Sequence, residues 1–71
     1  MFEVNDSLIR SLIFKRGLTV SEFARRAGIN GLTARKLIKD GAKVNGRIVS
    51  TLAKFFDVEG EVLLKKGVHE D

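Results

Sequence analysis

Four helix starts and four helix stops are written into this chain, and that punctuation leaves little room for anything but short helices. Gly17, Gly28, Gly41 and Gly67 each follow an apolar-periodic run, the place where a left-handed residue ends a helix. Asn5, Thr19, Asn30 and Asn45 stand at the starts, where a side-chain oxygen can accept an orphan backbone N–H of the first turn. Thr19-Val20-Ser21-Glu22 is a full capping box, with Leu18 and Phe23 spaced as its hydrophobic staple. Val4 with Ile9, and Val44 with Val49, repeat the staple spacing at two further starts.

The apolar periodicity agrees with the caps. Leu8, Ile9, Leu12 and Ile13 share one face of the first helix, and Val20, Phe23, Ala24 and Ala27 one face of the second. Ala34, Leu37 and Ile38 stripe the third, placed at Gly31 to Lys39. Ile48, Val49, Leu52, Ala53 and Phe56 stripe the fourth. Val58 to Lys66 reads as a fifth helix, although it contains Gly60. Strand alternation is nowhere long enough to register. The expectation is an all-α fold, a compact bundle of five short helices in one domain over residues 1–71. Residues 1–3 and 68–71 are expected to fray.

Composition narrows the function. Seventy-one residues, 44% hydrophobic and 31% charged, suit one small globular core. With no cysteine, that core must hold by packing alone. His69 is the single histidine and is expected to do nothing. No carboxylate pair, base-activated nucleophile or phosphate-cradling glycine loop is present. No catalytic residue, metal site, cofactor or small-molecule ligand is therefore expected, and the chain reads as no enzyme. It also lacks a membrane-spanning run or signal-peptide layout, so the expected location is cytoplasmic, at the nucleoid if it binds DNA.

Charge is unevenly spread. From Arg10 to Lys54 eleven basic residues face only Glu22 and Asp40, a net +9, while the flanking segments carry −2 and −3. A basic middle between acidic ends is the footprint of a polyanion binder. Solvation of helix faces by Lys and Arg is the bland alternative.

The central pair of helices gives that footprint a shape. Val20–Ala27, the turn Gly28-Ile29-Asn30 and the helix from Gly31 to Lys39 have the layout of a helix-turn-helix over about residues 20–39. Ala24 sits where the helices must approach closely. On a helical wheel, Leu32, Lys36 and Lys39 lie opposite the Ala34, Leu37 and Ile38 face, with Thr33 and Arg35 flanking.

Over roughly residues 5–65 the chain resembles the Cro/C1-type (lambda repressor-like, XRE-family) helix-turn-helix domains of phage and prophage regulators. The stretches that carry the resemblance are Leu8-Ile9-Arg10 to Arg16-Gly17-Leu18-Thr19, and Glu22-Phe23-Ala24-Arg25-Arg26-Ala27-Gly28-Ile29. Ala34-Arg35-Lys36-Leu37-Ile38, and Leu52-Ala53-Lys54-Phe55-Phe56-Asp57-Val58 with Val62-Leu63-Leu64, complete it. The resemblance implies a lambda repressor-like fold whose helix at 31–39 reads base edges. Val20 stands where that family usually has a glutamine, and Gly31 and Leu32 stand among its base-reading positions.

The candidate DNA-binding residues are Asn30, Gly31, Leu32, Thr33, Arg35, Lys36, Lys39, Lys43, Arg47 and Arg26. Asn30 is first a helix cap and can also bond a phosphate. Leu32 has two readings: packing on a thymine methyl, or folding back over the turn or onto a protein partner. Lys36 can donate to guanine or only touch phosphate. Lys43 and Arg47, at the start of the fourth helix, either hold the DNA backbone or are solvated, and so do Arg25 and Arg26. Phe55 serves either a dimer surface or a second core. The expected function is a sequence-specific transcriptional regulator, a Cro-like repressor. It would bind double-stranded operator DNA, an inverted repeat, as a homodimer. The competing class is a protein-interaction module of the same fold, an antirepressor or antitoxin-type adaptor.

Overall fold

The computed structural model describes residues 1–65. Four α-helices carry most of it: α1 (Asp6–Lys15), α2 (Val20–Ala27), α3 (Gly31–Leu37) and α4 (Gly46–Phe56). A single 3-10 turn, Gly60–Leu63, follows α4. Two short strands, β1 (Phe2–Glu3) and β2 (Lys43–Val44), pair antiparallel with Phe2 opposite Val44 and Glu3 opposite Lys43. The fold is mostly helical and compact, with a Cα radius of gyration of 11.1 Å.

Each of the four expected helix starts is capped. Asn5, Asn30 and Asn45 accept from the backbone N–H of Leu8, Leu32 and Ile48. Thr19 and Glu22 close both halves of the capping box, at 2.9 and 3.1 Å. At the end of α2, Gly28 sits in the left-handed region at φ 75°. The N–H of Ile29 then reaches the carbonyl of Ala24, and that of Gly28 reaches Arg25. This paired closure satisfies two orphan carbonyls and turns the chain sharply into α3. α4 closes in a similar way on a non-glycine residue, Asp57, at φ 58°.

The core lies where the helices meet. Val4, Ile9, Phe23, Ala34, Leu37, Leu52 and Leu63 are fully buried, with Ile13, Ala24, Val44, Val49 and Phe56 nearly so. The staple residues all fall in this core or, for Leu18, pack against it. Phe23 anchors an aromatic trio, its ring stacked on Phe56 at 5.6 Å and tilted against Phe55 at 5.8 Å. Phe55 is half-buried and packs against the main core through Phe23 and Phe56. Arg16 covers the outer side, with its guanidinium 5.5 Å from the Phe56 ring centre and Nη2 donating to the Phe56 carbonyl.

Three expectations are corrected. The segment read as a fifth helix is only the 3-10 turn, because Leu63, Leu64 and Lys65 are drawn into strand-like pairing. The N–H of Asn5 donates to Leu63, Val4 and Leu64 form a β-bridge, and Lys65 donates its N–H to Glu3. Phe2 and Glu3 are held in β1 by their pairing with β2 rather than frayed, in strands too short for alternation to signal. The third helix ends at Leu37, two residues early. Ile38 leaves the helix and its carbonyl bonds Arg10, while Gly41 at φ 82° turns the chain toward β2. Gly67, His69 and the expected fraying at 68–71 lie outside the described residues.

Candidate functional site

α3 presents two unlike faces. Ala34 and Leu37 are fully buried and Ile38 packs against the core, fixing which way the helix is rolled. The outward side is a shallow groove of about 440 Å³ lined by Leu32, Arg35, Lys36 and Lys39. Leu32 is 72% exposed and neither belongs to the core nor packs against it. It does not fold back over the turn. Arg35 turns to the same side as Leu32, and Thr33 is half-buried outside the groove lining.

The other expected residues stand around this groove rather than in it. Asn30 is exposed and occupied as the cap of α3, its Oδ1 2.7 Å from the Leu32 nitrogen. Gly31 opens the helix and is exposed. Lys43 lies on β2, Arg47 in the first turn of α4, and Arg26 in the last turn of α2, all exposed. Val20 is half-buried. It helps line a second, apolar groove of about 300 Å³ with Arg10, Ile13, Phe14, Leu18 and Ile38.

The electrostatics separate two sets of cations. Arg10 is committed inside the fold: Nη1 donates to Asp6 Oδ2 at 2.7 Å and to the Ile38 carbonyl at 2.6 Å. It thereby ties α1 to the end of α3, satisfying a carbonyl the helix leaves open. Arg16 is committed to the end of α4. Lys65 pairs with Asp40 and Glu3, and those two hydrogen bonds raise its pKa. Arg35, Lys36 and Lys39 form no ion pair among the described residues. Asp40, one of two acids in the basic middle, is drawn to Lys65 instead. The carboxyl of Glu22 is held below its usual range, first by the Thr19 backbone N–H and then by its hydroxyl, with weaker help from Arg26 and Arg25.

Two residues of consequence were not legible as such. The Asp6–Arg10 spacing is an i,i+4 pair that a sequence can display, but the reach from Arg10 to Ile38 spans 28 residues and has no local signal. Phe14 lies off the apolar stripe of α1 and is 82% exposed, at the side of the apolar groove. Among the described residues no helix is long and apolar enough to cross a membrane, and no three acidic or histidine side chains gather to hold a metal ion. Comparison with protein-family models, curated proteins and solved structures gives no significant match to this chain.

Proposed function

We propose that the chain is a sequence-specific DNA-binding regulator whose α2–turn–α3 unit is a helix-turn-helix of the Cro/C1 type, with α3 entering the major groove. The observation that carries this reading is the outward groove of α3, where Arg35, Lys36 and Lys39 have no ion-pair partner among the described residues. Cations left unpaired on one side of a helix and just past its end supply the phosphate attraction that dominates affinity for duplex DNA. An α-helix with its side chains is about 10–12 Å across, a fit to the roughly 12 Å width of the major groove. Arg26, Lys43 and Arg47 would add backbone contacts from the neighbouring elements. A two-fold dimer on an inverted repeat, repressing by occupying the operator, completes the proposal, with the cell's DNA-containing compartment as its place of action.

The test is fluorescence anisotropy with random duplex DNA across a salt series. Affinity should fall with a log–log slope of about −0.9 per phosphate contact, and Arg35→Ala and Lys36→Ala should each flatten that slope by about one contact. Absence of binding even at low salt would overturn the proposal.

A second reading, a protein-interaction module, is favoured by one observation: Phe14, 82% exposed, beside the apolar groove of Ile13, Leu18, Val20 and Ile38. Phe14→Ser bears on this second reading alone, since it leaves the α3 groove untouched and DNA affinity should be unchanged by it.

A further inference from the structure

Two neighbouring residues on α3 have a form that the fold itself does not require. Among the six described glycines, Gly17, Gly28 and Gly41 adopt positive φ. Gly46 and Gly60 place a would-be Cβ at 3.5 Å from the Phe2 ring and 3.4 Å from a Val49 methyl. Gly31 has neither reason: its φ is not in the positive range, and a Cβ there would meet nothing within 4 Å. Glycine in a helix still costs stability relative to alanine. Leu32 is the converse case, a large apolar side chain 72% exposed and outside the core. Its companions in the groove are three cations.

An apolar protein surface laid on Leu32 would have to strip water from Arg35, Lys36 and Lys39 without pairing them. Duplex DNA avoids that conflict, because the major groove sets the thymine C5-methyl, its one apolar group, between two rows of phosphates. We infer that Gly31 and Leu32 form an apolar reading edge for thymine. Leu32 packs against the C5-methyl, and the missing side chain at Gly31 lets the backbone come close to the base edges. Arg35, Lys36 and Lys39 hold the flanking phosphates. The inference rests on the DNA-binding proposal and adds to it which base is read and by what chemistry.

The test begins with a duplex selected from a random pool by the full chain. Each thymine is then replaced singly by deoxyuridine, which lacks only the methyl group. Wild-type affinity should drop about fourfold at one or more thymines, the equivalent of about 0.8 kcal/mol per methyl group. Leu32→Ala should bind the thymine duplex about fourfold more weakly, keep the wild-type salt slope and lose the response to deoxyuridine. Its thermal melt should match wild type, since the side chain is exposed. Gly31→Ala should also weaken binding while melting no lower than wild type. Steep salt dependence with indifference to deoxyuridine at every position would overturn the thymine reading and leave the DNA proposal standing. A deoxyuridine effect that survives Leu32→Ala would assign the methyl contact elsewhere and overturn it too. No binding at low salt would overturn both.

Discussion

Arg10 on α1 and Lys36 on α3 carry the same charge, yet they serve different ends in the molecule. The guanidinium of Arg10 is shared among Asp6, Ser7 and the Ile38 carbonyl, so its charge is spent on holding α1 to α3. Lys36 lines an open groove and has no ion-pair partner among the described residues. The net +9 of the central segment therefore overstates the charge available to an outside anion. Arg10 and Arg16 close helix ends, and Arg25 and Arg26 sit near the Glu22 carboxylate, while Arg35, Lys36 and Lys39 share one groove and form no ion pair among the described residues. Charge counted along a chain is a ceiling on electrostatic function, and the fold decides how much of it remains.

The comparison can be broken first at the fully buried Phe23. Phe23→Ala should cost about 3–5 kcal/mol, read by chemical denaturation, because it removes the central ring of the aromatic trio. For a domain this small that is most of the stability, and the α3 groove should lose its form along with it.

Smaller and more telling is the pair of cations. Arg10→Ala should lower stability by about 1 kcal/mol, chiefly through the Asp6 carboxylate, only 10% exposed in the pair, which loses its charged partner. Lys36→Ala should change stability by less than about 0.5 kcal/mol. Equal losses in thermal melts would erase the division between the two sets.

The same replacement at two glycines should act in opposite directions. Gly28→Ala forces a β-carbon into φ 75° and should destabilise by about 1 kcal/mol. Gly31→Ala meets open space and should stabilise by about 0.5 kcal/mol. Denaturant midpoints of the two variants against wild type give the answer.

The gentlest test is pH. The Glu22 pKa is lowered in the folded chain, so its contribution is fully present above the unfolded carboxylate value and disappears as pH falls through the lower folded one. Wild type should lose part of its stability over that acidic range, and Glu22→Gln should lose less.

Much of this architecture could be read ahead of the structure, and the reason is local. A cap needs only three or four consecutive residues, so Asn5, Thr19, Asn30 and Asn45 announced their helices from within their own first turns. The features that escaped are non-local. Nothing near Leu64 signals that it will bridge Val4, and that pairing is what reduces the expected last helix to one 3-10 turn. Asp57 escaped for a different reason: a left-handed closure announces itself when the residue is glycine and is silent when it is not. At the candidate site, periodicity placed Leu32, Lys36 and Lys39 on the outward face. It set Arg35 only at the flank, because a wheel marks where a side chain leaves the helix and not how far a long one reaches around it.

The pairing of residues 3–5 with 63–65 has a kinetic consequence. It closes a loop of about sixty residues, and loop-closure entropy makes such contacts late events, after the capped helices and the aromatic trio have formed. Substitutions there, such as Leu64→Ala, should leave the refolding rate nearly untouched and quicken unfolding. The clasp sets how long the folded state survives once made, and contributes little to how soon it is reached.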